Sequence, residues 1–85
     1  MPEISRFFGI VIGMFHREHG PPHFHAVYAE HKMTVDIETG AVTGSFPASA
    51  SGLVLEWYAH HKEELLGDWD LARRGQPLKR ISPLR

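Results

Sequence analysis

The apolar residues of this chain change their period once, at Ser45-Phe46-Pro47, and that switch limits the folds open to it. Before it, short apolar runs alternate with polar residues and are broken by glycine and proline, the pattern of strands with one buried face. After it, Leu53, Val54, Trp57, Tyr58, Leu65, Trp69 and Ala72 recur at helical spacing from about Ala48 to Arg74. Pro47 suits an early helix position, and Gly75-Gln76-Pro77 ends the helix. Gly67 and the His60-His61 pair mark places for a bend or a break into two. A chain of 85 residues holds one modest core. The expectation is a single α+β domain over residues 1–85. It has a small antiparallel β-meander of three to four strands within residues 8–44. A C-terminal helical hairpin or bent helix over 48–74 packs on one sheet face, and an extended basic tail covers 75–85.

Within the meander, "FGIVIGMF" at 8–15 reads as the first strand, with Gly9 and Gly13 on one face as marks of a close approach. Gly20-Pro21-Pro22 then breaks the chain, because proline fixes φ, lacks an amide donor and holds its predecessor extended. "HFHAVYAE" at 23–30 and Lys32–Ile37 are the next strands. Glu38-Thr39-Gly40 is a turn, and Ala41–Gly44 supplies a short hairpin return.

Strand alternation gives this pattern chemical content. Phe24, Ala26 and Tyr28 share one face, as do Met33, Val35 and Ile37, and these sets belong toward the helix. His23, His25, Asp36 and Glu38 are left on the other face, provided the register does not slip by one residue. Two imidazoles at i and i+2 on a strand stand about 6–7 Å apart at Cα, close enough to share an ion. With Asp36 they would form a two-histidine-one-carboxylate set suited to a divalent metal, with His16 or His19 as a further ligand. The same residues admit two other readings, an acid/base pair or a structural corner in which Asp36 orients an imidazole, and all three stay open. Nothing else in the chain competes: there is no HExxH, no G-x-S-x-G elbow and no phosphate-binding glycine loop.

Charge and composition narrow the function classes. The net charge of −1 gives no global case for nucleic acid. The charges are uneven, however. Acids dominate from Glu56 to Asp70, and then Arg73, Arg74, Lys79, Arg80 and Arg85 follow without an acid. Such a tail is a solvated end or a docking patch for an acidic partner. No cysteine is present, which removes disulfides and thiolate-bound metals. The apolar run at 7–15 is too short to span a bilayer and lacks the flanks of a signal peptide, so a cytoplasmic location is the default expectation.

The segments "ISRFFGIVIGM", "HGPPHFHAVY", "DIETG", "LVLEW" and "HKEELLGDWDLARRGQPLKRI" occur in this order. Together they resemble the bacterial domain-of-unknown-function family numbered 4160, over nearly the whole chain. The resemblance carries over His19, Pro21, Pro22, His23, Phe24, His25, Asp36, Glu38, Gly40, Trp57 and Trp69 as signature positions. The stretch Gly44–Gly52 departs from the pattern in having no basic residue. Genes of that family often lie beside a short open reading frame of the family numbered 2442, an organisation like a toxin–antitoxin pair. The resemblance therefore implies a small partner-binding protein that recognises a neighbouring-gene product. His19, Pro21, Pro22, His23 and His25 would form its surface, assisted by Arg73, Arg74, Lys79 and Arg80. Unpaired strand edges make homo-oligomers a further expectation. The alternative is a metal- or histidine-dependent hydrolase, such as a small ribonuclease toxin using His23 and His25. A nucleic-acid-binding regulator is the third reading.

Overall fold

A computed structural model describes residues 1–85. Five antiparallel strands form one meander in chain order: β1 (Glu3–Phe7), β2 (Ile10–Gly13), β3 (His23–Tyr28), β4 (His31–Asp36) and β5 (Val42–Ser45). A single helix, α1 (Ala48–Arg73), follows. The expected α+β meander with a bent C-terminal helix is therefore present, with one strand more than expected. The difference lies at the N-terminus: the strand expected at 8–15 starts only at Ile10, and Phe8-Gly9 are a reversal that pairs it with an additional strand, β1, just before them. Phe8 and Gly9 adopt φ of 51° and 79° between the paired residues Phe7 and Ile10. Positive φ at both central residues is the two-residue hairpin geometry that matches strand twist, and it overrides the apolar run. Phe8 is consequently exposed at the tip.

The faces divide by alternation as expected except at Tyr28, expected in the core with Phe24 and Ala26 but exposed at the end of β3. Phe24, Ala26, Met33, Val35 and Ile37 are buried and form one core with Val54, Trp57 and Leu65 of α1. The helix bends at His61, whose φ of −130° and ψ of 20° leave the helical region. Its Nδ1 lies 2.6 Å from Glu64 Oε1, and its ring packs against Trp57. No helix is long and apolar enough to cross a membrane.

The tail is part of this core. Ile81 is buried and its amide donates to the Ile4 carbonyl on the outer edge of β1. The indole N–H of Trp57 donates to the Ser82 carbonyl (2.8 Å), and the Lys79 amide to Oδ1 of buried Asp68 (2.9 Å). Burial pushes the Asp68 carboxyl above the usual range, partly opposed by that hydrogen bond. Arg80 meets Glu3 at 3.0 Å, and Glu3 also pairs with Arg6. The bonds from Arg6 and Arg80 hold the Glu3 carboxyl down at about 2.

Two glycines predict opposite outcomes. At Gly44 φ is +115°, and an added Cβ would sit 2.6 Å from the Lys32 carbonyl oxygen. Gly44→Ala should destabilise by about 1–3 kcal/mol in chemical denaturation. Gly67 lies in the exposed helix body with nothing near an added Cβ, so Gly67→Ala should stabilise by about 0.5–1 kcal/mol. The Glu3 carboxyl supplies a pH test. Its folded value lies below the ordinary 4.5, so its contribution is present above that pH and is lost as pH falls toward 2. The thermal midpoint of wild type should exceed that of Glu3→Gln above pH 5, with the gap closing on acidification.

Candidate functional site

The loop between β2 and β3, residues 14–22, turns the chain back so that its one acid faces the strand that follows. Met14 is buried and its amide donates to the Pro2 carbonyl. Arg17, at φ of 58°, donates its amide to the Ala72 carbonyl and so ties the loop to the end of α1. Gly20, at φ of 100°, makes the reversal, and Pro21-Pro22 leads into β3. The prolines keep their carbonyls as acceptors. Pro22 receives the Ile37 amide at 2.9 Å, which extends the β3–β4 ladder, and Pro21 receives Nδ1 of His23 at 2.9 Å.

This path brings Glu18, His23 and His25 together. Glu18 Oε1 lies 3.1 Å from His23 Nε2 and 3.0 Å from His25 Nε2. The two rings stand 5.2 Å apart between centroids. Trp69 of α1 packs against His23 at 5.1 Å, and Phe15 meets His25 edge-on at 4.9 Å. All three site side chains keep between 19% and 30% of their surface exposed, so the group is supported from behind and open in front. Partial burial pushes the Glu18 carboxyl up. The hydrogen bond from His25 and the adjacent imidazoles outweigh it, and the net direction is down. The three ligand atoms lie within 4.8 Å of one another, the spacing at which they could hold one ion.

Asp36 is the cross-strand partner of His23, in the register that the alternation required. Its carboxylate is committed elsewhere, however. Oδ1 accepts the amides of Glu38 (2.8 Å) and Thr39 (2.9 Å), closing the turn at the end of β4. The Thr39 amide bond leads in holding this carboxyl low. His16 is also outside the group, with Nε2 donating to the Gln76 carbonyl at 2.9 Å. His19 is exposed in the loop. Arg74 pairs with Asp70 at 2.7 Å and Arg80 with Glu3, while Arg73 and Lys79 are exposed. Glu18 is the member that pattern reading passed over. It lies on an irregular loop, where alternation assigns no face, and its one signal is that it is the sole acid between Met14 and Pro22.

The outward face of the sheet continues from this corner. His25 lies in a cross-strand row with Gly13, Thr34 and Thr43. Beside it runs an open groove of about 470 Å³, lined among others by Met1, Phe15, Val27 and Lys32. Gly13 serves close approach here, since an added Cβ would sit 2.4 Å from the Pro2 carbonyl oxygen.

The model of the family described as "Domain of unknown function (DUF4160)" matches residues 9–70. The chain belongs to the DUF4160 family. The matched span holds the whole Glu18–His23–His25 group and stops short of the tail that closes the DUF4160 core here. No match is found among curated proteins or among solved structures.

The two carboxylates make separable predictions. Asp36→Ala should lower the thermal midpoint by loosening the 36–40 turn, while the His25 imidazole NMR signals stay in place. Glu18→Gln should shift the imidazole signals of both His23 and His25 with little loss of stability.

Proposed function

We propose that this protein is a small partner-binding module, one component of a bacterial toxin–antitoxin-like gene pair, that receives its partner along β5 and the adjoining groove. The asymmetry of the sheet supports this reading. One face is covered by α1, and the outer edge of β1 is met by the tail through the Ile81 amide. β5 ends the strand order, all four of its residues are exposed, and its far side carries no strand. An unpaired edge of this kind is a template for an added strand, and neighbouring side-chain pockets supply selectivity. The groove beside it offers apolar surface from Met1, Phe15 and Val27 next to Lys32, Thr34 and Thr43. Arg74 and Arg80 are already matched with acids of the same chain, which favours a protein partner over a nucleic-acid backbone. The partner in this reading is the product of the adjacent short reading frame, of the family numbered 2442.

A second reading, a histidine-dependent hydrolase, draws on the Glu18–His23–His25 group at the end of the same groove. There His25 would exchange a proton with substrate or water, and Glu18 would orient it. Purified protein that cleaves RNA, with the activity lost in His25→Ala, would favour this reading over the first.

Co-expression with an untagged copy of the adjacent gene product should yield a co-purifying complex. Val27→Glu on the groove face and Val42→Lys on β5 should each weaken it by about tenfold or more, with circular dichroism unchanged. Absence of a complex, or affinity unaffected by both substitutions, would contradict the assignment.

A further inference from the structure

We propose that Glu18, His23 and His25 form a binding site for one divalent transition-metal ion of the zinc class, independently of which partner the β5 face receives. The proton inventory of the group points to a cation. The Pro21 carbonyl can only accept, so the nitrogen 2.9 Å from it, His23 Nδ1, carries the hydrogen. A neutral His23 therefore presents a bare lone pair at Nε2. That lone pair faces Glu18 Oε1 at 3.1 Å, an oxygen already engaged by His25 Nε2 at 3.0 Å. Two lone pairs at hydrogen-bond distance repel unless a proton or a metal ion lies between them. An ion in reach of all three atoms removes the conflict: His25 takes the Nδ1–H tautomer in place of Nε2–H, and each of the three atoms then offers a lone pair as a ligand.

The geometry agrees with that occupant. Zinc takes imidazole nitrogen and carboxylate oxygen at about 2.0–2.2 Å, which places neighbouring ligand atoms of a tetrahedral site roughly 3.3 Å apart. The two nitrogen–oxygen separations lie within a few tenths of an ångström of this. The Nδ1–H bond to Pro21 is the outer-shell contact that fixes a ligating histidine in the right tautomer. Behind the group, Trp69 and Phe15 hold the rings, and the Arg17 and Pro22 backbone bonds fix the loop. The rings and the loop are thus held in place around the three ligand atoms, which lie within 4.8 Å of one another. Three protein ligands leave a fourth position free, and His25 also lines the open groove, so that position is reached from solvent. Two imidazoles and one carboxylate suit zinc, cobalt or iron and are a poor site for magnesium, which requires oxygen ligands.

The test is titration of the full-length chain, purified without a histidine tag and stripped with chelator. Cobalt(II) should bind at one per chain with a visible ligand-field spectrum, and zinc should displace it. Zinc, but not magnesium, should raise the thermal midpoint. Glu18→Gln, His23→Ala and His25→Ala should each weaken binding at least about tenfold, whereas His16→Ala should leave it unchanged. If a variant fails to fold, uptake by the wild-type chain decides. No cobalt or zinc uptake by wild type would overturn the proposal, and would leave a His23 imidazolium paired with Glu18 as the resolution of the contact. Uptake that survives Glu18→Gln and falls in His16→Ala would overturn it equally.

Discussion

The burial of Trp57 is the constraint on which the rest of the domain depends. Its side chain is fully enclosed, with its ring 5.5 Å from Phe7 and 5.8 Å from Phe24. Those contacts pin α1 across β1 and β3. An indole N–H buried without an acceptor would cost about 1–3 kcal/mol, and the acceptor here is the Ser82 carbonyl from the end of the chain. One side chain thereby joins helix, sheet and tail. In a domain of 85 residues the core is small, so the tail contributes core surface through Ile81 and partly buried Leu78 and Leu84. With a single helix to spend on the sheet, only one face is covered.

The uncovered face is where the chemistry collects. Polar residues accumulate there because alternation sends Phe24 and Ala26 inward and His23 and His25 outward. The corner is stiffened by groups that serve the fold as well. The Pro22 carbonyl belongs to the strand ladder, the Arg17 amide caps a carbonyl of the last helical turn, and Trp69 is a core residue of α1. The same contacts that stabilise the domain thus fix the positions of two imidazoles and a carboxylate. The free β5 edge and the groove lie on the same side, so a partner docked along β5 would sit within reach of that corner.

Much of this was legible in the residues. The period change at Pro47, the two-residue alternation from His23 to Ile37 and the Gly-Pro-Pro break gave the fold class, most of the core face and the shared face of His23 and Asp36. Their direct pairing depends on a strand register that alternation leaves open. Two things were not legible, for physical reasons. The Phe8-Gly9 reversal is hidden in an apolar run because a left-handed phenylalanine leaves no mark in hydropathy. The role of Asp36 was obscured because an aspartate at the end of a strand can serve a metal or its own turn. Here two amide donors sit within three residues of it. Glu18 has no place in any periodic pattern, since the orientation of a loop side chain depends on the Gly20 reversal and the Arg17 anchor.

The central claim is that the HGPPHFH corner, completed by Glu18, is an organised three-ligand centre rather than a surface cluster of histidines. Crystals grown with zinc and measured on both sides of its absorption edge test it most directly. The account predicts one anomalous peak within about 2.0–2.2 Å of Glu18 Oε1, His23 Nε2 and His25 Nε2, with His23 Nδ1 still bonded to the Pro21 carbonyl. A peak on His16 or His19 alone, or none at the corner, would contradict it.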